Sequence, residues 1–557
     1  MAFVSAMSAP ALTKSGVKGS DVYTEAGVGD LRVVFFTQLV RGLSSNQITD
    51  YVHRILATGD QTQARDLVVM AFQTRDIRGG KGERDLGRLM LAAICQYQRA
   101  WTEDLLALVP EYGCWKDLWQ LGEEVPSLQP AIDKVVHRQF LLDQETHKPS
   151  LLIKWLPREG TKYDQLARHF ANLFFPLTPP TKGQRMRTYR RCLATLNRHL
   201  DTTEIKMCDS TGPGHWSEIQ PKKVPGRLMK RCKNAFFNQT KPKRGPVAVR
   251  HPDRQDRVEC AENFKDFMGK VAKGEVQMKG ADTTMPHEHV HEIYYSHYLS
   301  EEALQVIQAQ WDAIRQKALE GGGLGRTVPM CDFSGSMNGV PKEVSLALGI
   351  LISEMAAPAF KDHIITFDAS PRWHSFSGLT TLQKKVHSVG SLGQGLSTDF
   401  QAACDLILKR LVEHKVPREE APTDLLVLTD MGFDAACGHS AYSSYTGNQY
   451  TKNVKTQPWQ THFQMIRNNF EAAGYAAPRI VCWNLRAEYK DFHASAHEEG
   501  VVQLSGWSPA VLKALQANGV QVKTPYEGLR ELLDAPRYDG VRDVMDILQG
   551  LKPRPVE

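Results

Sequence analysis

No stretch of this 557-residue chain approaches the roughly 18 uninterrupted apolar residues that a membrane-spanning helix needs. The longest apolar runs, near 346–357 and 425–428, are core-sized and broken by Ser or Asp. The opening residues, MAFVSAMSAPALTKSG, place no basic segment ahead of an apolar one, which argues against a secretory signal. The ten cysteines, at 95, 114, 192, 208, 232, 260, 331, 404, 437 and 482, include no CxxC pair. A disulfide framework or a thiolate zinc site would cluster them, so free thiols in a reducing compartment are expected. No Walker A loop, Ser-His-Asp order or paired carboxylates of hydrolytic type stand out, and an enzyme is not expected. The expectation is a soluble, cytoplasmic protein that does not engage a membrane.

What is present is an ordinary globular balance, 42% hydrophobic and 23% charged, in a chain long enough for two to four domains. The net charge of +6 is unevenly spread. Residues 1–326 carry +9 and residues 327–557 carry −3, while 151–250 alone hold 21 basic against 6 acidic side chains. Such a concentration meets a polyanion or stays solvated as a mobile basic loop.

Residues 1–28 are small and polar and read as a mobile leader. From Leu31 apolar residues recur at three- and four-residue spacing, and further helices fit 48–57, 61–73, 83–97, 102–108, 115–122 and 131–144. Short Gly- or Pro-containing connections make these a run of helix pairs, as in an α-solenoid. Helices at 163–175, 183–201, 226–238 and 261–270 follow, with Pro- and Lys/Arg-rich loops between them, and a last one spans 300–318. The predicted domains are a helical array over 29–319, a glycine hinge over 320–326, an α/β domain over 327–525 and a C-terminal segment over 526–557. Apolar strands at 327–331, 363–367, 425–429, 479–483 and 501–504 alternate with helices in the α/β part, which predicts a doubly wound parallel sheet.

One motif is specific. Asp332-Phe333-Ser334-Gly335-Ser336-Met337 stands between the first strand and the first helix of that sheet, at its carboxyl edge, where ligands bind. A DxSxS turn aims one carboxylate and two hydroxyls at one point, a donor set suited to Mg²⁺. Ser397-Thr398-Asp399 follows the Gly-rich SLGQGL, and Thr429-Asp430 ends the LLVLT strand. Together these resemble the metal-ion-dependent adhesion site of a von Willebrand factor A domain, over about 325–525. The resemblance places direct or water-mediated cation ligands on Asp332, Ser334, Ser336, Thr398 and Asp430. It also implies a divalent cation, Mg²⁺ with Mn²⁺ or Ca²⁺ as alternatives, whose open position takes a carboxylate from a protein partner.

In the first half, LRVVFFTQLVRGL, TRDIRGGKGERD, PEYGCWKDLW and SLLIKWLPRE are similar to the helical TROVE module of the Ro autoantigen group, most of all to uncharacterised relatives with the same two-part layout. Residues 201–258 have no counterpart there. The resemblance implies HEAT-like helix pairs, in Ro proteins closed into a ring, that bind single-stranded ends or structured non-coding RNA. The residues themselves agree in kind. Lys182, Arg185, Arg187, Tyr189, Arg190 and Arg191 form one basic group, and Lys222, Lys223, Arg227, Lys230 and Arg231 another. On helices, Arg187, Arg190 and Arg191 share a face, as do Arg227, Lys230 and Arg231. Such groups grip phosphates without regard to sequence, and Tyr189 is placed to stack a base.

Three further features compete. TRDIRGGKGERD looks like a phosphate-gripping loop but follows a helix, so a helix–helix turn capped by Glu83 is preferred. His287-Glu288-His289-Val290-His291 fits HExxH, with His297 nearby, but no third zinc ligand is evident and Pro286 marks a helix start. The Tyr-, Ser- and Gly-rich residues 432–459 emerge beside Asp430 as either a binding rim or a plain insertion. The leading expectation is a Ro-type RNA-binding protein. The alternatives are a scaffold that binds an acidic partner through the cation, and a zinc enzyme built on Glu288.

Overall fold

The computed structural model describes residues 11–17, 21–176, 182–208, 215–241, 245–296, 298–366, 371–389, 400–433, 462–516 and 523–551. The chain forms two compact units. The first unit is α/β and gathers Met1–Ser44, Met285–Tyr295 and Ile314–Ala535. The second is helical and gathers Ser45–Thr284, Ser296–Ala313 and Pro536–Glu557.

Strands β1 Thr13–Ser15 and β2 Asp21–Tyr23 pair antiparallel at the start of the α/β unit. Its main sheet has six strands: β3 Thr327–Cys331, β4 His363–Thr366, β5 Arg372–Ser375, β6 Asp424–Thr429, β7 Arg479–Asn484 and β8 Val501–Ser505. They run in the order β5-β4-β3-β6-β7-β8, all parallel except the antiparallel edge strand β5. Strands β3, β6 and β8 are buried end to end, as strands covered on both faces are. One face packs Val328, Met330, Leu425, Val427, Ile480 and Cys482 against Phe400, Phe463 and Ile466 of the helices Phe400–Glu413 and His462–Ala472. The helices Val340–Met355 and Pro525–Leu533 cover the other: the Cys331 thiol lies 3.8 Å from Ser345 O, and Gly528 backs onto Val502.

In the helical unit, Ser45–Ala57, Gln61–Arg75 and Arg84–Tyr97 pack on one another, and later helices pair with near neighbours such as Asp164–Phe174 with Lys182–Leu200. A second cluster of apolar side chains gathers Trp216, Leu228, Phe236, Phe237 and Phe264. The loop RGGKGE is anchored on Asp76, buried at 1% exposure. Its carboxylate accepts the Arg78 and Gly79 N–H groups at 3.0 and 3.1 Å, an Arg537 Nη2 bond at 3.0 Å, and the Tyr538 hydroxyl at 3.3 Å.

The division of the chain differs from the expected domains in four places. The helix Leu31–Gln38, expected in the helical array, lies on β8, where the Thr37 hydroxyl donates to Gln503 Oε1 at 2.8 Å and Asn484 Nδ2 donates to Thr37 O at 2.8 Å. The expected leader 1–28 belongs to the same unit in its described part: Tyr23 N–H donates to Phe492 O at 2.7 Å. The helix Pro286–Tyr295 packs on Val340–Met355. Conversely, the C-terminal helix Asp539–Leu548 returns to the helical unit, where Asp546 pairs with Arg65 at 3.1 Å. Amphipathic spacing marks a helix but not the surface it covers. Among the described residues no helix is long and apolar enough to cross a membrane.

Candidate functional site

Strand order places the DxSxS turn at the point where the sheet reverses its winding. From β3 the chain moves outward through β4 to β5, then returns to β6 beside β3 and moves the other way. Connections leaving β3 and β6 therefore diverge, and the crevice beyond their carboxyl ends is where such sheets bind ligands. Asp332 follows β3 and Asp430 follows β6, and Cys331 pairs with Leu428 across the two strands.

Both carboxylates are fully buried. Asp332 Oδ1 accepts the Ser334 N–H at 2.9 Å, which fixes the turn, and Oδ2 accepts the Thr429 hydroxyl at 3.0 Å. Asp430 Oδ1 accepts the Gly432 N–H at 3.0 Å. Asp430 Oδ2 is buried and has no hydrogen-bond partner among the described residues. The Ser334 and Ser336 hydroxyls lie 3.1 Å apart, and Ser336 is the half-buried member of the cluster. Burial, and after it the charge of Asp430, pushes the Asp332 pKa up to about 7. Among the described residues no basic side chain pairs with either carboxylate, although buried carboxylates normally have such a partner. Two buried carboxylates, one orphaned oxygen and two hydroxyls are the donors a small hard cation takes. Thr398 and the residues around it lie outside the described residues, and so does nearly all of the 432–459 loop.

Two neighbours of the site carry no motif. Arg486, after β7, donates to the Ser336 carbonyl and pairs with Glu488 at 2.9 Å. Tyr489 hydrogen-bonds Ser336, and burial followed by the Asp430 charge raises its pKa. Its ring lies over Gly432, where a Cβ would come within 2.5 Å of Cε2, so only glycine lets the tyrosine sit there. Met431 between them is buried with φ 71°, a conformation non-glycine residues rarely adopt. The Thr429 hydroxyl, which receives the Met431 N–H at 3.2 Å, was legible only as the Thr of a strand-terminal TD.

The basic residues predicted to bind RNA divide into groups. On the helix Lys182–Leu200, Arg187, Arg190 and Arg191 are exposed, as the shared face requires. Arg190 is ion-paired with Glu159. Arg185 is half-buried and donates to Asn172 Oδ1 at 3.1 Å and Pro176 O at 3.3 Å. The side chain of Lys182 lies outside the described residues. The expectation for Tyr189 fails: it is 1% exposed, its hydroxyl donates to Pro157 O at 2.9 Å, and its ring stacks on Phe174. It is a core residue, because position 189 falls on the apolar face with Met186 and Leu193 rather than with the arginines. Lys222, Lys223, Arg227 and Arg231 are exposed around the helix Gly226–Phe236, and Lys230 is half-buried.

The competing features are tied up structurally. Lys81 of the glycine loop is fully buried, with its pKa driven well down by that burial, and Arg75 pairs with Asp117 at 2.6 Å. The arginines of this turn lock helices together. Glu83 stands at the N-cap position but makes no side-chain cap bond. His287 packs edge-on to Trp507, with centroids 5.0 Å apart, while His291 pairs with Glu343 at 3.0 Å. His297 lies outside the described residues. Among the described residues no three His, Cys, Asp or Glu side chains gather as a metal-binding group. Among the described residues the sheet-edge cluster has two carboxylates, Asp332 and Asp430, with hydroxyls as its other donors.

The α/β part is similar to a domain of unknown function, DUF7788, whose family model matches residues 326–534. Over 521 residues the chain is 28% identical to the uncharacterized protein L728 of Acanthamoeba polyphaga mimivirus, covering 87% of this chain and 82% of the relative. That likeness spans both units, so their combination in one chain is shared with the viral protein.

Proposed function

We propose that this is an RNA-binding protein of Ro type. Its helical unit holds structured or misfolded non-coding RNA, and its α/β unit is an A domain with a divalent cation, Mg²⁺ before Mn²⁺ or Ca²⁺. The observation that carries the RNA reading is a set of exposed cations: Arg187 and Arg191 on one helix, Lys222, Lys223 and Arg231 about another. None has an acidic partner among the described residues. They belong to the segment with 21 basic and 6 acidic side chains, where a polyanion relieves the self-repulsion. With Tyr189 in the core, recognition rests on phosphate contacts, which fits shape-selective binding with little preference for base sequence.

The cation reading rests on the orphaned Asp430 Oδ2 beside Asp332. Asp332 and Asp430 would supply the charge, with the Ser334 and Ser336 hydroxyls as neutral donors. Arg486 holds the Ser336 carbonyl and so fixes the turn. A cation bound there supplies a position for a carboxylate oxygen of a partner. A second reading, a scaffold that recognises an acidic protein through this ion, is favoured by the half-buried Ser336 at the edge of the cluster.

Purification at low salt, followed by extraction and digestion with RNase and DNase, tests the proposal. RNA is expected to co-purify and to dissociate steeply with salt. Replacing Arg187, Arg191 and Arg231 by Glu should lower single-stranded RNA affinity at least tenfold and flatten the salt slope by about 2–3. Protein free of nucleic acid that also ignores added RNA overturns the RNA reading and leaves the scaffold.

A further inference from the structure

The sheet has a second opening at its other end. Where β6, β7 and β8 begin, a cleft of about 460 Å³ is walled by Arg326, Arg418, Arg467 and Arg479, with Glu471 and Glu499 as its acidic side chains. It is distinct from the cation cluster: the six residues of β6 between the two ends span roughly 17–20 Å.

Arg479 is the informative member. Its side chain is 10% exposed, and its Nε donates to Asp424 Oδ1 at 2.5 Å. Its Nη1 is buried with no acceptor among the described residues. A buried donor left unmade is costly, most of all on a charged group, so an oxygen from outside the chain is wanted there. Arg326 uses Nε on Ala421 O at 2.8 Å, and Arg467 donates through Nη2 to Glu499 O. Glu498 also acts electrostatically on Arg467, and Asp424 stands behind Arg479. Arg418 is exposed and has no carboxylate partner among the described residues. Backbone without side chains makes room for two of these groups: a Cβ on Gly474 or Gly500 would stand 3.2 Å from Arg418 Nη2 or 3.3 Å from Arg467 Nη2. Ile466 and Val501 add an apolar wall.

We propose that this cleft binds an organic phosphate of mononucleotide size. Guanidinium forks match phosphate oxygens, and the apolar wall takes the body of the ligand. The volume lies within the range of small-molecule sites. The proposal stands on the α/β unit alone and does not depend on RNA binding by the helical unit.

The test is calorimetric titration of the full-length protein with AMP at low salt in EDTA, with inorganic phosphate as competitor. Saturable binding is expected, displaced by phosphate and weakened at least tenfold in Arg418→Glu/Arg467→Glu. The same binding should persist in the Arg187→Glu/Arg191→Glu/Arg231→Glu protein. Should the double variant melt early, Arg418→Glu alone, at an exposed position, carries the test with a loss of about threefold or more. No saturable heat with AMP up to about 10 mM, weaker than any useful site, overturns the proposal. It is equally overturned if the helical-unit variant abolishes binding while the cleft variants keep it.

Discussion

Asp76 and Asp430 are both carboxylates withdrawn from water, at 1% and 0% exposure, and they are satisfied in opposite ways. In the helical unit Asp76 receives two backbone N–H groups, the Tyr538 hydroxyl and the Arg537 guanidinium. At the sheet edge Asp430 receives one backbone N–H and keeps an oxygen without a partner among the described residues, beside a second carboxylate. Burying a carboxylate costs several kcal/mol, which only a well-placed counter-charge offsets. The chain supplies that counter-charge to Asp76 from its own C-terminal segment. For the Asp332–Asp430 pair the described residues supply turn amides and hydroxyls, which orient the oxygens without neutralising them. On the cation reading proposed above, the difference separates a structural clamp from a receptor for an ion.

The largest effect is expected at the clamp. Asp76→Ala strands the Arg537 guanidinium and the loop N–H groups, and should destabilise the helical unit by about 3–5 kcal/mol in denaturant titrations. A loss below about 1 kcal/mol would mean that the two centres do not differ as argued. Next comes the ion itself. Mg²⁺ or Mn²⁺ at a hundredfold excess over its Kd should stabilise the wild-type α/β unit by about 2.7 kcal/mol, and Asp332→Ala or Asp430→Asn should remove that gain. If calorimetry finds no ion-dependent shift in the wild type, the cation reading fails.

These two centres were unequally legible in sequence. Asp332, Ser334, Ser336 and Asp430 stood out because a strand-turn-helix fixes them within a few residues of an apolar run. Sequence spacing predicted the central strands for the same reason. Edge strand β5, Arg372-Trp373-His374-Ser375, was missed because it is mostly exposed and has no apolar run. Nothing local announces that Arg537 reaches Asp76 or that Leu31–Gln38 lies on β8, because those pairings join residues more than 400 positions apart. Tyr489 and Arg486 arrive at the site from the loop after β7, with no spacing relation to DxSxS. Tyr189 was misassigned by charge context, where the apolar periodicity through Met186 and Leu193 was the better guide.

A smaller effect distinguishes a cation receptor from a carboxylate kept for structure. The pKa of Asp332 is raised in the folded protein by burial and by Asp430. In the absence of ions its contribution to stability is therefore complete below the ordinary carboxylate pKa of about 4 and is lost as pH rises towards about 7. In EDTA at pH 8, Asp332→Asn should thus be more stable than the wild type by about 1–2 kcal/mol, and the gap should close at pH 4. With saturating Mg²⁺ the order reverses, because only the wild type gains from the ion. Denaturant melts at the two pH values check both signs. A wild type whose ion-free stability does not fall across this window would contradict the burial of an uncompensated charge.

The smallest effect concerns the basic helix. Tyr189 lies between Arg187 and Arg190 in sequence, yet its hydroxyl donates to Pro157 O and its ring packs on Phe174. Tyr189→Phe removes one buried hydrogen bond and leaves the Pro157 carbonyl short of a donor, so it should cost about 0.5–1.5 kcal/mol of stability. RNA affinity should stay within twofold of the wild type at every salt concentration. Arg191→Glu makes the reverse trade. Its side chain is exposed, so stability should move by less than about 0.5 kcal/mol, while each lost phosphate contact lowers the salt slope by about 1. Filter binding over a salt series, paired with a denaturant melt of each variant, separates the two residues. A Tyr189→Phe protein that binds RNA several-fold more weakly with unchanged stability would return Tyr189 to the binding surface and break the division between core and contact drawn along this helix.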